Sequence, residues 1–477
     1  MGLTQFSFVF LPLCLVLAFQ PDRLLQIVFV SANFTAAAAI TFGSLGVQPD
    51  LVPTALFIAT IVLQMLLGAT HRSAGKVMRL LLPFLVVTAY ALVSSWVMPR
   101  LFENTLLVYP QKVDVIGGTT LLAPNSGNFT QDCYLLAAAG FLVMASLTIS
   151  RSRFNLQRLV DAFFVSGILA AVFCFWQFSH LVAGVPFPND FLYSNPGWAL
   201  MNTEVFGSVP RISGSFVEPA DAASHLVGFV FAAAWVLFRG HRSKLAWCVL
   251  ASTLLATLLT TSTTGFATLF LGAVLLGYYG FRSRNRGLAS RTLLAFIVAI
   301  GLAGFAVLTI ATLAPGVMSA ASTVVEATLG KQDSSSYTDR TSTDLDSLDL
   351  GVATYGLGVG WGSNRSSSLI PGVVANLGIV GIAGLGVFSV EIWRRRRRVG
   401  RVAATPPERL ALDAAGAGAL GQLIAGCLSG PSLEQPDFYL LLALVVGVIV
   451  RLERRATAQS KAAIDNMRAS SPALLPH

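Results

Sequence analysis

Three arginines of this chain stand just before or within turns rich in glycine and serine. They are Arg211 in Arg211-Ile-Ser-Gly-Ser, Arg340 in Asp339-Arg340-Thr-Ser, and Arg365 in Gly362-Ser-Asn-Arg365-Ser-Ser-Ser. A guanidinium carries a permanent charge on a planar fork that fits phosphate oxygens. Turns beside helix ends add backbone N–H groups that favour anions. Three such residues around one cavity would hold a diphosphate without a metal. Downstream of Arg211, a turn at Gly214 leads to Glu218-Pro219 and a helix, with the proline suited to the first helical position. Glu218, Asp221 and His225 lie at i, i+3 and i+7, on one helix face. A carboxylate near the end of a membrane helix faces the bundle interior or a wet cavity and is suited to act as a general base. Glu218 is the candidate base. Asp221 and His225 either join the site or form a buried pair that locks the helix.

The glycines after Arg340, among them Gly358 and Gly360, argue against continued helix and let backbone approach a ligand closely. A plainer alternative stands beside each arginine, an ion pair with a neighbour: Arg211 with Glu218, Arg340 with Asp339 or Asp344. Two other motifs carry less. Gly416-Ala-Gly-Ala-Leu-Gly421 matches a dinucleotide fingerprint but sits in an apolar helix with no strand before it, so close helix packing is its reading. Asp344-Leu-Asp346 resembles a metal-binding pair but lacks a third ligand. Carboxylates in the first turn of a helix capped by Thr341 or Ser342 explain it better.

The elements that must position these residues are membrane helices. Of the 477 residues, 54% are hydrophobic and 12% charged, where a soluble protein has roughly 25% charged. Apolar runs near the ~20 residues needed to cross a bilayer recur throughout. They predict an all-α polytopic membrane protein with spans near 6–19, 24–42, 51–69, 80–98, 133–149, 159–182, 217–238, 245–260, 265–280, 292–313, 369–392, 410–430 and 438–450. The first is short, and with no basic segment before it reads as a retained helix. The five cysteines form no CxxC pair and read as small core residues. Residues 1–450 form a single membrane domain, and 451–477 a polar, frayed tail.

All but six of the 32 lysines and arginines fall in one alternate set of connections and in the tail. The positive-inside rule makes that set cytoplasmic, so the net charge of +9 reflects topology and not nucleic-acid binding. The run Arg394 to Arg398 is then an anchor that meets anionic headgroups. The exceptions, Arg100, Lys112, Arg211, Lys331, Arg340 and Arg365, share the other side with the long loops 99–132, 183–216 and 314–368. Alternation around Gly117-Gly118 predicts a small hairpin or lid in the first. Val317 to Leu329 in the third predicts a helix lying on the membrane surface.

At these residues the chain resembles the O-antigen ligase/polymerase family of bacterial surface-glycan membrane proteins. The resemblance spans about residues 200–390. It rests on Arg211-Ile-Ser-Gly-Ser-Phe-Val-Glu218-Pro, on Thr260-Thr-Ser-Thr-Thr-Gly265, on Arg340 leading to Gly356-Leu-Gly-Val-Gly-Trp-Gly-Ser-Asn-Arg365, and on Asn376-Leu-Gly-Ile-Val-Gly. It implies a helical C-type glycosyltransferase fold in the bacterial inner membrane, acting at the periplasmic face without metal or cofactor. Donor and acceptor would be undecaprenyl-diphosphate-linked glycans, with a chain-length regulator as a further partner. Arg211 and Arg340 would stabilise the leaving diphosphate, with Arg365 a third contact and Gly358, Gly360, Asp221 and His225 lining the substrate. Ligases of this family carry a histidine in the big loop where this chain has Asn364-Arg365-Ser366, and no histidine stands between His241 and His477. The expectation is therefore a polymerase, with a ligase as the rival. A flippase or other transporter is a third reading, one that calls for broken helices and inverted repeats. The sequence shows no such halves.

Overall fold

The computed structural model describes residues 2–43, 45–111, 118–197, 205–206, 209–282, 335–400, 402, 404–430 and 435–470. In chain order they form α1 (Gln5–Leu17), α2 (Pro21–Ser31), the hairpin β1 (Ile40–Phe42) and β2 (Leu45–Val47), α3 (Leu51–Leu66) and α4 (Ala74–Leu101). A second hairpin, β3 (Leu107–Val108) and β4 (Thr120–Leu121), precedes α5 (Ser126–Ile149), α6 (Leu156–Ala183) and the single turn α7 (Asn189–Leu192). A third, β5 (Val205–Phe206) and β6 (Val209–Pro210), leads to α8 (Pro219–Phe238), α9 (Lys244–Leu259) and α10 (Thr263–Arg282). The last helices are α11 (Ser335–Ala353), α12 (Leu369–Val399), α13 (Pro406–Leu428) and α14 (Pro436–Ser470). Six of them, α4, α5, α6, α8, α12 and α13, are long and apolar enough to cross a membrane. The chain is a multi-pass, all-α membrane protein. The expected span 292–313 and surface helix 317–329 lie outside the described residues.

Lipid tails are as apolar as leucine, so these helices associate through close packing. Helix α8 is central and packs against α9 and α13. Small residues make the α8–α13 approach close: a Cβ on Gly421 would stand 3.0 Å from the Val227 carbonyl oxygen, and one on Gly418 3.5 Å from that of Gly228. The GxGxxG run is a packing face, as expected. Phe163 lies between Phe29 and Phe229, tilted against both with ring centres 5.0 and 4.6 Å apart, tying α2, α6 and α8 together.

Among the described residues, several of the expected arginine-rich connections meet at one end. Arg451 reaches the carbonyls of Arg151 and Ser152. Arg455 and Arg451 hold the fully buried Glu408 at 2.8 and 3.1 Å. Arg239, His241 and Arg396 surround Asp413. The last helix runs past the end of the expected span near 450. Helix α14 continues unbroken to Ser470, because its charged half docks on Glu408 and, through Glu453, on Arg395. Arg397 of the arginine run lies over the Trp393 ring, 3.8 Å from its centre.

The expected span 24–42 is corrected. Helix α2 has only 11 residues, roughly 16 Å at 1.5 Å per residue. Buried, non-helical chain follows from Ala32 to Ala39. Irregular backbone survives at such depth only where protein satisfies its polar groups. Here Ser215 and Ser7 hydroxyls donate to the Asn33 and Ala39 carbonyls, the Thr4 hydroxyl to that of Ala38, and the Asn195 amide to that of Ala36. Helix α12 is interrupted as well, at Gly378 (φ 58°, ψ −148°). Two broken segments thus exist where the sequence showed none.

Candidate functional site

At the end opposite the arginine cluster, residues 356–368 are bound from four sides. Asn364 is their hub and is buried. Its side chain accepts from the Tyr109 amide (3.0 Å) and donates to Ser347 (2.9 Å), while its backbone exchanges two hydrogen bonds with the Asn376 side chain. Asn128 of α5 donates to the Trp361 carbonyl and to Ser363, both at 2.8 Å. The hairpin β3–β4 forms as predicted. Its Tyr109 accepts from the Arg365 amide at 2.7 Å through the backbone and donates its hydroxyl to Asp346, also 2.7 Å. That hydrogen bond raises the Tyr109 phenol above its ordinary range.

The glycines have a different partner from the one expected. Amides of Val359 and Gly360 donate to the carbonyls of Ala375 and Asn376, and the Ile379 amide to that of Gly356, so the loop is threaded into the break in α12. A Cβ on Gly358 would lie 2.6 Å from the Asn376 carbonyl, and one on Gly360 2.6 Å from that of Ser94. The close approach of Gly358 and Gly360 is to the chain's own backbone. Asp344 and Asp346 sit in the middle of α11, which begins at Ser335, so Thr341 and Ser342 do not cap it. Asp344 instead accepts from the amides of Ser367 (2.8 Å) and Ser368 (3.1 Å), placing its charge at the N-terminus of α12.

Arg340 lies at the first turns of α11 with its side chain exposed, donating to Ser429 Oγ at 2.8 Å and pairing with neither Asp339 nor Asp344. Arg365 is exposed, and among the described residues it too has no carboxylate partner.

The second group starts at Arg211, half-buried, followed by a buried turn. The amides of Ser213 and Gly214 both donate to Gln177 Oε1, at 2.8 and 2.7 Å, and Tyr193 donates to the Gly214 carbonyl. With the Ser367 and Ser368 amides bound to Asp344, this corrects the expectation that turn amides await an anion. Any anion site here depends on the guanidiniums.

Glu218 is the N-cap residue of α8 in extended conformation, with Pro219 next as predicted, and its carboxylate makes no capping hydrogen bond. Asp221 and His225 do not pair with each other. Asp221 accepts from Thr35 at 2.8 Å. His225 meets Asn33 at 2.9 Å and Asp437 at 3.5 Å. Gln422 donates to the same Asp437 oxygen at 2.7 Å. These contacts lock α8 to the broken segment 32–39 and to α13 and α14. Asn33, Thr35 and Asp437 were missed by sequence reasoning. The available signal was a buried aspartate beginning a membrane helix, and it was weak because 431–437 read as a polar connection.

The structure thus joins Arg340, Arg365 and Asp344 in one frame, and Glu218, Asp221 and His225 in another. No hydrogen bond or ion pair among the described residues links Arg340 or Arg365 to Glu218, Asp221 or His225. Their shared neighbour is the segment after α13: Ser429 holds Arg340, the Gly430 amide donates to the Ser367 carbonyl, and Asp437 holds His225. Compared with known protein families and with curated proteins, the chain has no match in either.

Proposed function

We propose that this protein is a membrane glycosyltransferase of the O-antigen ligase/polymerase type, and within it a polymerase. In this reading it joins undecaprenyl-diphosphate-linked repeat units at the periplasmic face of a bacterial inner membrane, its C-terminal helix in the cytoplasm. The observation that carries the reading is the pair Arg340 and Arg365. On the face poor in basic residues, both guanidiniums are exposed and, among the described residues, without a carboxylate partner. Such groups are suited to the oxygens of a leaving diphosphate, where charge develops as the glycosidic bond breaks. Glu218, not engaged in capping, would take the proton from the acceptor hydroxyl. Asn364 supports the polymerase over the ligase, since this stretch of the loop is a structural hub without histidine.

A flippase is the second reading, favoured by one observation: the buried break at 32–39 lies beside Asp221 and His225, as broken helices do at transporter sites. Deleting the gene and analysing the lipid-linked glycans separates these readings. A polymerase leaves single repeat units on the carrier at the periplasmic face. Polymer retained on the carrier indicates a ligase, and single units confined to the cytoplasmic leaflet indicate a flippase. Either of the last two outcomes overturns the proposal.

A further inference from the structure

At the arginine-rich end, the start of α2 and the turn between α5 and α6 enclose an open cleft of about 780 Å³. Arg23, Arg151 and Arg158 line it, together with Gln20, Gln26 and Asn155. Elsewhere on this end, Arg239, Arg395, Arg396, Arg451 and Arg455 are matched by Asp413, Glu391, Glu453 or Glu408. None of the three cleft arginines has a carboxylate within ion-pair distance among the described residues. Asp22 is the only acid in the lining and offsets one of the charges. The other neighbour is His71, 3.2 Å from the Arg151 guanidinium, whose imidazole is held below its ordinary pKa by burial and by Arg151. An imidazole, neutral or protonated, supplies no compensating negative charge. The cleft keeps an excess of two positive charges beside three neutral amide side chains, a set suited to a phosphate and its ester oxygens.

The approach to the cleft is apolar. Leu15 and Val16, in the last turn of α1, and Phe19 just after it are 64%, 73% and 81% exposed. In a membrane such side chains lie against acyl chains. We propose that the cleft binds the phosphate of an anionic phospholipid from the leaflet on this side, with its acyl chains along the end of α1. The inference is independent of the glycosyltransferase reading.

The test uses purified full-length protein, delipidated in mild detergent, with bound lipid counted by native mass spectrometry after adding phosphatidylglycerol or phosphatidylcholine. The expected result is one retained phosphatidylglycerol per chain, with phosphatidylcholine at least tenfold weaker. The triple variant Arg23→Gln, Arg151→Gln, Arg158→Gln should lose retention at least tenfold. The exposed single variant Arg158→Gln, which leaves packing untouched, should lower it severalfold. A control, Arg394→Gln with Arg397→Gln and Arg398→Gln, removes equal charge from the same end and should retain the lipid. Inorganic phosphate and glycerol phosphate, which lack acyl chains, should not displace it at millimolar concentration. Unchanged retention in the cleft variants, equal loss in the control, or equal binding of phosphatidylcholine overturns the site. Displacement by inorganic phosphate overturns the lipid as its ligand.

Discussion

Replacing Arg340 by alanine is expected to abolish long glycan chains while leaving the protein inserted and folded. The side chain is exposed, and its one described hydrogen bond, to Ser429 Oγ, contributes about 1 kcal/mol or less to stability. Its larger contribution would come in the transition state, when the diphosphate gains charge. Removing one such preorganised donor typically lowers turnover about 10²- to 10³-fold. Lysine at this position should rescue only in part, because an ammonium is a point charge without the planar fork. Ser429→Ala is the discriminating control. It removes the same hydrogen bond but keeps the guanidinium, so chain length should stay near normal. If Ser429→Ala matches Arg340→Ala, the arginine's role is structural. Arg211→Ala should also lose long chains, and normal chain length in both arginine variants contradicts the proposal. Glycan length by gel and membrane insertion by fractionation are the readouts.

The second expected result is loss of the folded protein on Gly378→Val. Gly378 combines φ 58° with ψ −148°, a region essentially reserved for glycine. A Cβ there would also collide with the Gly356 carbonyl oxygen, the acceptor for the Ile379 amide. Backbone strain alone costs on the order of 1–3 kcal/mol, and the collision cannot be relieved by a side-chain rotation because the obstacle is backbone. The threaded loop 356–360 should detach from α12 and carry Asn364 and Arg365 with it. Gly386→Ala in the same helix, where an added Cβ meets nothing within 4 Å, should leave stability within about 1 kcal/mol or raise it slightly. Melting temperature and monodispersity in detergent measure both. A Gly378→Val protein that melts like the parent contradicts the threaded arrangement.

The parts of this fold governed by local hydropathy were readable in the sequence. Helices α4, α5, α6, α8, α12 and α13 stand where apolar runs place them. So do the β3–β4 hairpin and the N-terminal Pro219 of α8. The break after α2 was hidden because Ala36 to Ala39 continue an apolar run, and hydropathy measures solvent preference without sensing backbone shape. What ends the helix is distant: Ser7, Asn195 and Ser215 satisfy the freed carbonyls. The length of α14 was hidden for the converse reason. Its polar half is helical because Glu408 and Arg395, far away in the chain, hold Arg455 and Glu453.

In the candidate site, residue types marked out segments but not the partners those segments have in the fold. The turn amides of 213–214 and 367–368 could be located but not seen to be occupied by Gln177 and Asp344. Gly358 and Gly360 signalled close approach correctly, while what approaches is Asn376 and Ser94. His225 signalled a buried polar contact, whose partners Asn33 and Asp437 come from opposite ends of the sequence.

The central claim, elongation of a lipid-linked glycan at the face bearing Arg340 and Arg365, is tested most directly with purified protein and undecaprenyl-diphosphate-linked repeat units in detergent or vesicles. The account predicts that wild-type protein alone converts single units to longer carrier-linked chains, that this persists with a chelator present, and that Arg340→Ala does not do it. Wild-type protein that leaves the repeat units single would contradict the account, as would an Arg340→Ala variant that elongates them at the wild-type rate.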